Sequence, residues 1–121
     1  MRLSDFEELV SQALADLPEP ILEMLENVAV IVAEFPTREQ MQANGIRDRY
    51  ELLGLYEGIP LTERHSSYGM VLPDKITIFK GPLEAQAETS AALAEEVRQT
   101  VIHELAHHFG ISDEELEEMG R

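Results

Sequence analysis

His103-Glu104-Leu105-Ala106-His107-His108-Phe109-Gly110-Ile111-Ser112-Asp113 is the stretch from which the rest of the chain can be read. At about 100° per helical residue, positions 103 and 107 differ by about 40°, so both imidazoles leave one face a turn apart and can share a metal ion. Glu104 lies about 60° from His107 on that side, within reach of a water beside the metal and without being a ligand itself. Outward along the same helix, Leu93, Ala94, Val97, Val101, Ile102, Leu105, Ala106 and Phe109 fill an arc of roughly 220°. The polar stripe of Glu96, Thr100, His103, Glu104 and His107 is left to face a cleft. The pattern runs from about Glu88 to Phe109, where Gly110 suits the left-handed residue that ends a helix. Ser112 then restarts a short terminal helix with Asp113, Glu114 and Glu115 in its first turn.

Upstream, residues 3–17 have a helical apolar period, with Ser4 as a candidate N-cap and Pro18 and Pro20 closing the helix. Residues 27–35 contain Val-Ala-Val-Ile-Val-Ala before Pro36 and read as a buried strand. Residues 38–43 read as a short helical turn ended by Asn44-Gly45, and residues 52–56 as a second strand running into a loop. A long loop follows over 61–73. Residues 76–80 form a third strand stopped by Gly81-Pro82, and helix-forming composition resumes at Glu84. These elements make one α+β domain over 1–121: an N-terminal helix, a small mixed sheet of about three strands, a long helix across it and a short C-terminal helix.

Composition narrows the chemistry. With 121 residues and 44% apolar content the chain can bury one sizeable core. Cysteine is absent, so a zinc site must use His and carboxylates. Nine basic against 24 acidic residues give a charge of -15, which repels phosphate backbones and anionic membranes, so neither nucleic acid nor membrane is expected as a partner. The acidity reads mainly as a solvated face, and more sharply as a preference for basic substrates. The first residues lack the basic and then apolar blocks of a signal peptide, which points to the cytoplasm. Oligomeric state is not legible.

In a chain of this composition His-Glu-x-x-His arises by chance with a probability of roughly 2%, and the added Gly and Asp lower that by a factor on the order of 400. The run from His103 to Asp113 resembles the extended zincin signature His-Glu-x-x-His-x-x-Gly-x-x-(His or Asp). Residues 54–64, Gly-Leu-Tyr-Glu-Gly-Ile-Pro-Leu-Thr-Glu-Arg, and residues 72–84, Leu-Pro-Asp-Lys-Ile-Thr-Ile-Phe-Lys-Gly-Pro-Leu-Glu, look like the small zincin-like metallopeptidases of bacteria. The resemblance covers roughly residues 50–119 and implies a zincin-like fold, a Zn²⁺ cofactor, peptide or protein substrates, His103, His107 and Asp113 as ligands, and Glu104 as general base. It also suggests residues 76–80 as the edge strand that pairs with bound peptide. Larger zincins carry a further wall below the cleft with a methionine-bearing turn; here eight residues follow Asp113, and Met119 is the methionine among them.

Other readings stand beside these. Asp113 is also favoured in a first helical turn by the helix dipole, and Glu117, one turn on, is its rival as third ligand. His108 is expected as a hydrogen-bonded core histidine. His65 and Tyr68 are ordinary loop residues by default, or donors to a developing oxyanion. Thr100 and Glu96 are candidates for orienting the imidazoles. A metal-stabilised binding module with this fold and little peptidase activity is the alternative function.

Overall fold

The computed structural model describes residues 1–58 and 73–119. Helix α1 covers Leu3–Ala15 and buries Phe6, Val10 and Ala13. Its N-cap is Arg2 and not Ser4: the Arg2 carbonyl already accepts from the Phe6 amide at 3.0 Å, which puts Ser4 inside the first turn. Pro18 and Pro20 close α1 as expected and also open α2, Glu19–Met24, with Pro18 as its N-cap. A residue without an N–H is tolerated there because first-turn donors have no partner within the helix. The fully buried Ile21 ties α2 to the core.

Strand β1, Val28–Ala33, leads to α3, Arg38–Ala43, which starts in a capping box between Thr37 and Gln40. A 3₁₀ turn, Arg49–Glu51, precedes β2, Gly54–Glu57. Strand β3, Asp74–Phe79, passes directly into α4, Lys80–Gln86, so Gly81-Pro82 belongs to a first helical turn and not to a loop. Helix α5 is Ser90–Phe109, capped by Thr89, whose side chain accepts from the Ala92 amide. The short α6 is Asp113–Glu118.

The fold is α+β with a mixed sheet ordered β1-β3-β2. Strand β3 runs parallel to β1 and antiparallel to β2, with Tyr56 opposite Ile76. This corrects two expectations. Strand β3 is central among the described strands, so residues 76–80 are not the edge. Strand β1 is only partly buried, and Ile31 is 43% exposed, because the core packs on the face that carries Val28, Val30 and Val32 and Ile31 points to the other.

Helix α5 packs against α1, β2 and β3. Val97 and Val101 are fully buried and Leu105 is 1% exposed, in a core cluster that runs from Phe6 to Leu116. Side chains buried to this degree contribute about 1.5–3 kcal/mol each over their exposed forms. Phe109 departs from the expected arc. It is 51% exposed, because it sits at the helix end beyond the packed stretch. No helix among the described residues is long and apolar enough to cross a membrane.

Candidate functional site

Strand β2 lies directly on α5. A Cβ built on Gly54 would stand 2.6 Å from the Thr100 Cγ2, so only glycine lets the strand approach this closely. Thr100 is buried beneath it, and its hydroxyl donates to the Glu96 carbonyl at 2.7 Å. That hydroxyl therefore serves its own helix and does not orient an imidazole, contrary to expectation; Glu96 instead lines the cavity described below.

One turn further along α5, the Glu104 Oε1 accepts the backbone N–H of Tyr56 at 2.9 Å, joining the helix to β2. The Tyr56 hydroxyl donates to Asp74 Oδ2 at 2.6 Å, and its ring stacks on His108 with centroids 3.8 Å apart and planes at 16°. Phe109 meets the His108 ring edge-on at 4.9 Å. His108 is thus an exposed, stacked histidine and not a core one. The expectation erred because the last turn of α5 runs past the packed core, so the His108 ring meets only the rings of Tyr56 and Phe109 among the described residues and is otherwise open to solvent.

Beyond Phe109, Gly110 takes the left-handed conformation with φ +67°, and the Ile111 amide donates to the Ala106 carbonyl at 2.9 Å. This reversal sends the chain back past the end of α5. Ser112 and Glu115 form the capping box that starts α6, and Leu116, 4% exposed, fastens α6 to the core. Asp113 is thereby carried to the same side as the histidines.

Between β2 and α6 lies a cavity of about 660 Å³, and His103, Glu104, His107 and Asp113 all line it. Its walls are Leu52, Leu53 and Gly54 on one side and Ile111 and Leu116 on the other. Glu117, the rival for the third ligand, is absent from this lining. Glu51 and Glu96 also face in, and no Lys or Arg does among the described residues, so the local field favours a cation. Glu51 carries no sequence signal; the 3₁₀ turn before β2 brings it there. Met119 is half-buried against the core. His65 and Tyr68 lie outside the described residues.

The donors present are of the kind a zinc ion takes, two imidazoles and a carboxylate with no thiolate. His103, His107 and Asp113 are exposed to solvent and make no hydrogen bond or ion pair among the described residues, so nothing there competes for their donor atoms. They share the cavity without being drawn together: no three His, Cys, Asp or Glu side chains among the described residues are grouped closely enough to hold a metal ion. The chemistry of the set fits the metal.

The family model for zincin-like metallopeptidases matches residues 25–121, from just before β1 to the end and including every residue of the cavity. No curated protein matches the chain.

Proposed function

Because the chain belongs to the zincin-like metallopeptidase family, we propose that it hydrolyses peptide bonds with zinc held by His103, His107 and Asp113 and with Glu104 as general base. The observation that carries this reading is that these four side chains, which come from the end of α5 and the start of α6, line one cavity. Glu117 does not reach it, which favours Asp113 as the third ligand. Zinc held by these residues would supply Lewis acidity toward the scissile carbonyl and the attacking water.

The protein's own residues do the rest. Glu104 has one carboxylate oxygen engaged by the Tyr56 amide, which leaves Oε2 to take a proton from the attacking water and return it to the departing amine. The cavity volume falls within the range of sites that enclose a small ligand or a few peptide residues. The exposed His103 and His107 open it to solvent, which suits a protein or peptide substrate. Glu51 and Glu96 on its walls favour basic side chains near the scissile bond.

Two variants and a metal analysis test this. After dialysis the wild type should retain near one zinc per chain, and His103→Ala should lose it. Glu104→Gln should keep its zinc while cleavage of a mixed peptide library, read by mass spectrometry, falls by about 10²-fold or more. Zinc-loaded wild type and Glu104→Gln that are equally inactive would make the metal-stabilised binding module the better reading. Zinc loss in Glu104→Gln would mean that the roles within the motif are wrongly assigned.

A further inference from the structure

A general base on a long side chain is useful only when it is held. Glu104 has three side-chain torsions, and a displacement of about 1 Å at a reacting group can cost roughly 10²-fold in rate. The contact that fixes its carboxylate comes from another element, the backbone amide of Tyr56 on β2. Tyr56 is itself gripped from two directions. Its ring stacks on His108, four residues and one turn beyond Glu104, so α5 holds the amide and the ring of one residue with consecutive turns of one face. Its hydroxyl is tied to Asp74, which lies two residues from Ile76, the cross-strand partner of Tyr56, and so on the same face of the sheet.

We propose that Tyr56 is the positioning residue for Glu104, acting through its backbone amide, with Asp74 and His108 holding Tyr56 in turn; the catalytic consequence rests on the peptidase reading above. In the doubled pair His107-His108, the first imidazole serves the cavity and the second clamps the strand that orients the base. Tyr56 touches no reacting atom. Its loss therefore acts on the geometry of Glu104 and leaves the metal donors and the substrate walls in place.

The test uses the full chain loaded with zinc. Hydrogen exchange at the residue 56 amide, followed by NMR, should accelerate at least tenfold in Glu104→Ala and little in Glu104→Gln, which keeps an acceptor oxygen. The same amide should exchange faster in Tyr56→Phe, Asp74→Ala and His108→Ala. In peptide cleavage these three variants should lose roughly tenfold in kcat with KM and zinc content unchanged. Asp74→Asn, which still accepts a hydrogen bond, and His108→Phe, which keeps a ring to stack, should recover most of that loss. An exchange rate at residue 56 indifferent to Glu104→Ala overturns the proposal, and so does a Tyr56→Phe effect confined to KM or zinc content. Should the exchange pattern appear as expected while zinc-loaded wild type cleaves nothing, the clamp stands and the peptidase reading is the part that fails.

Discussion

The two walls of the cavity are built to different standards. The β2 wall belongs to a three-stranded sheet, presses Gly54 against the buried Thr100, and is joined to α5 by the Tyr56–Glu104 hydrogen bond. The α6 wall is a helix of six residues that hangs on Leu116, a capping box and the Ile111–Ala106 hydrogen bond; its other helical residues are exposed. A helix that short has no stability of its own and depends on such attachments. The proposed base therefore sits against the firm wall, and the proposed third ligand, Asp113, sits on the weakly held one. On the proposed ligand set, zinc binding and the docking of α6 would be one coupled event, with the metal stabilising the docked form by mass action.

Two leucines test this division with the largest effects. Leu105, 1% exposed on α5, serves the shared core, and Leu105→Ala should cost about 2–5 kcal/mol in urea or thermal unfolding. Leu116→Ala removes the anchor of α6 and should lower global stability less while weakening zinc affinity more, as read by a competing chelator. If Leu116→Ala unfolds the protein as severely as Leu105→Ala and leaves zinc affinity untouched, α6 belongs to the same cooperative unit and the contrast between the walls collapses.

Glycines sharpen the comparison at smaller cost. Gly54→Ala brings a methyl group to 2.6 Å from the Thr100 Cγ2, an overpacking expected to cost about 1–3 kcal/mol. Thr100→Ser deletes that methyl and should restore much of the loss, which a merely conformational effect at Gly54 would not allow. Gly110 has open space around it, so Gly110→Ala is charged only with the left-handed backbone at φ +67°, about 1–2 kcal/mol. Its effect should concentrate in α6 and in zinc binding, with amide exchange in β2 unchanged.

The contrast also follows what could be read from the sequence. His103, Glu104, His107 and Asp113 meet at one cavity because a helical repeat and a chain-reversing glycine are local rules, and both can be read from consecutive residues. The three strands and the long helix were legible for the same reason. Sheet order was not: β3 is central because both β1 and β2 pair with it, and alternation within a strand says nothing about which neighbours it takes. Among the described strands the edge position beside the cavity belongs to β2 and not to residues 76–80. Helix α2 was missed because Pro18 and Pro20 signal a break as strongly as a beginning. The partnership of Tyr56, Asp74 and His108 joins three elements far apart in the chain, and no spacing announces it.

The smallest expected effect lies beneath the firm wall, where β3 becomes α4. Lys80, 8% exposed, is hydrogen-bonded to Glu84 at 2.6 Å and lies 3.6 Å from Glu34, while Glu84 also receives the Met1 amine at 3.3 Å. The hydrogen bond with Glu84 raises the Lys80 ammonium above its ordinary 10.5, and the hydrogen bond from Lys80 holds the Glu84 carboxyl below its ordinary 4.5. The Lys80 contribution is then complete below 10.5 and is lost as pH rises through its higher folded value. The Glu84 contribution is complete above 4.5 and is lost as pH falls through its lower folded value. Between these limits Glu84→Gln should destabilise the zinc-free protein by less than about 1 kcal/mol, since Glu84 keeps partial contact with solvent. Below pH 4.5 the difference between the variant and wild type should shrink, because the wild type is losing the same carboxylate. Urea unfolding across pH reads the difference, and exchange at the α6 amides supplies the control. A variant that loosens α6 as much as the sheet would show that the pair spans both walls and does not belong to the firm one alone.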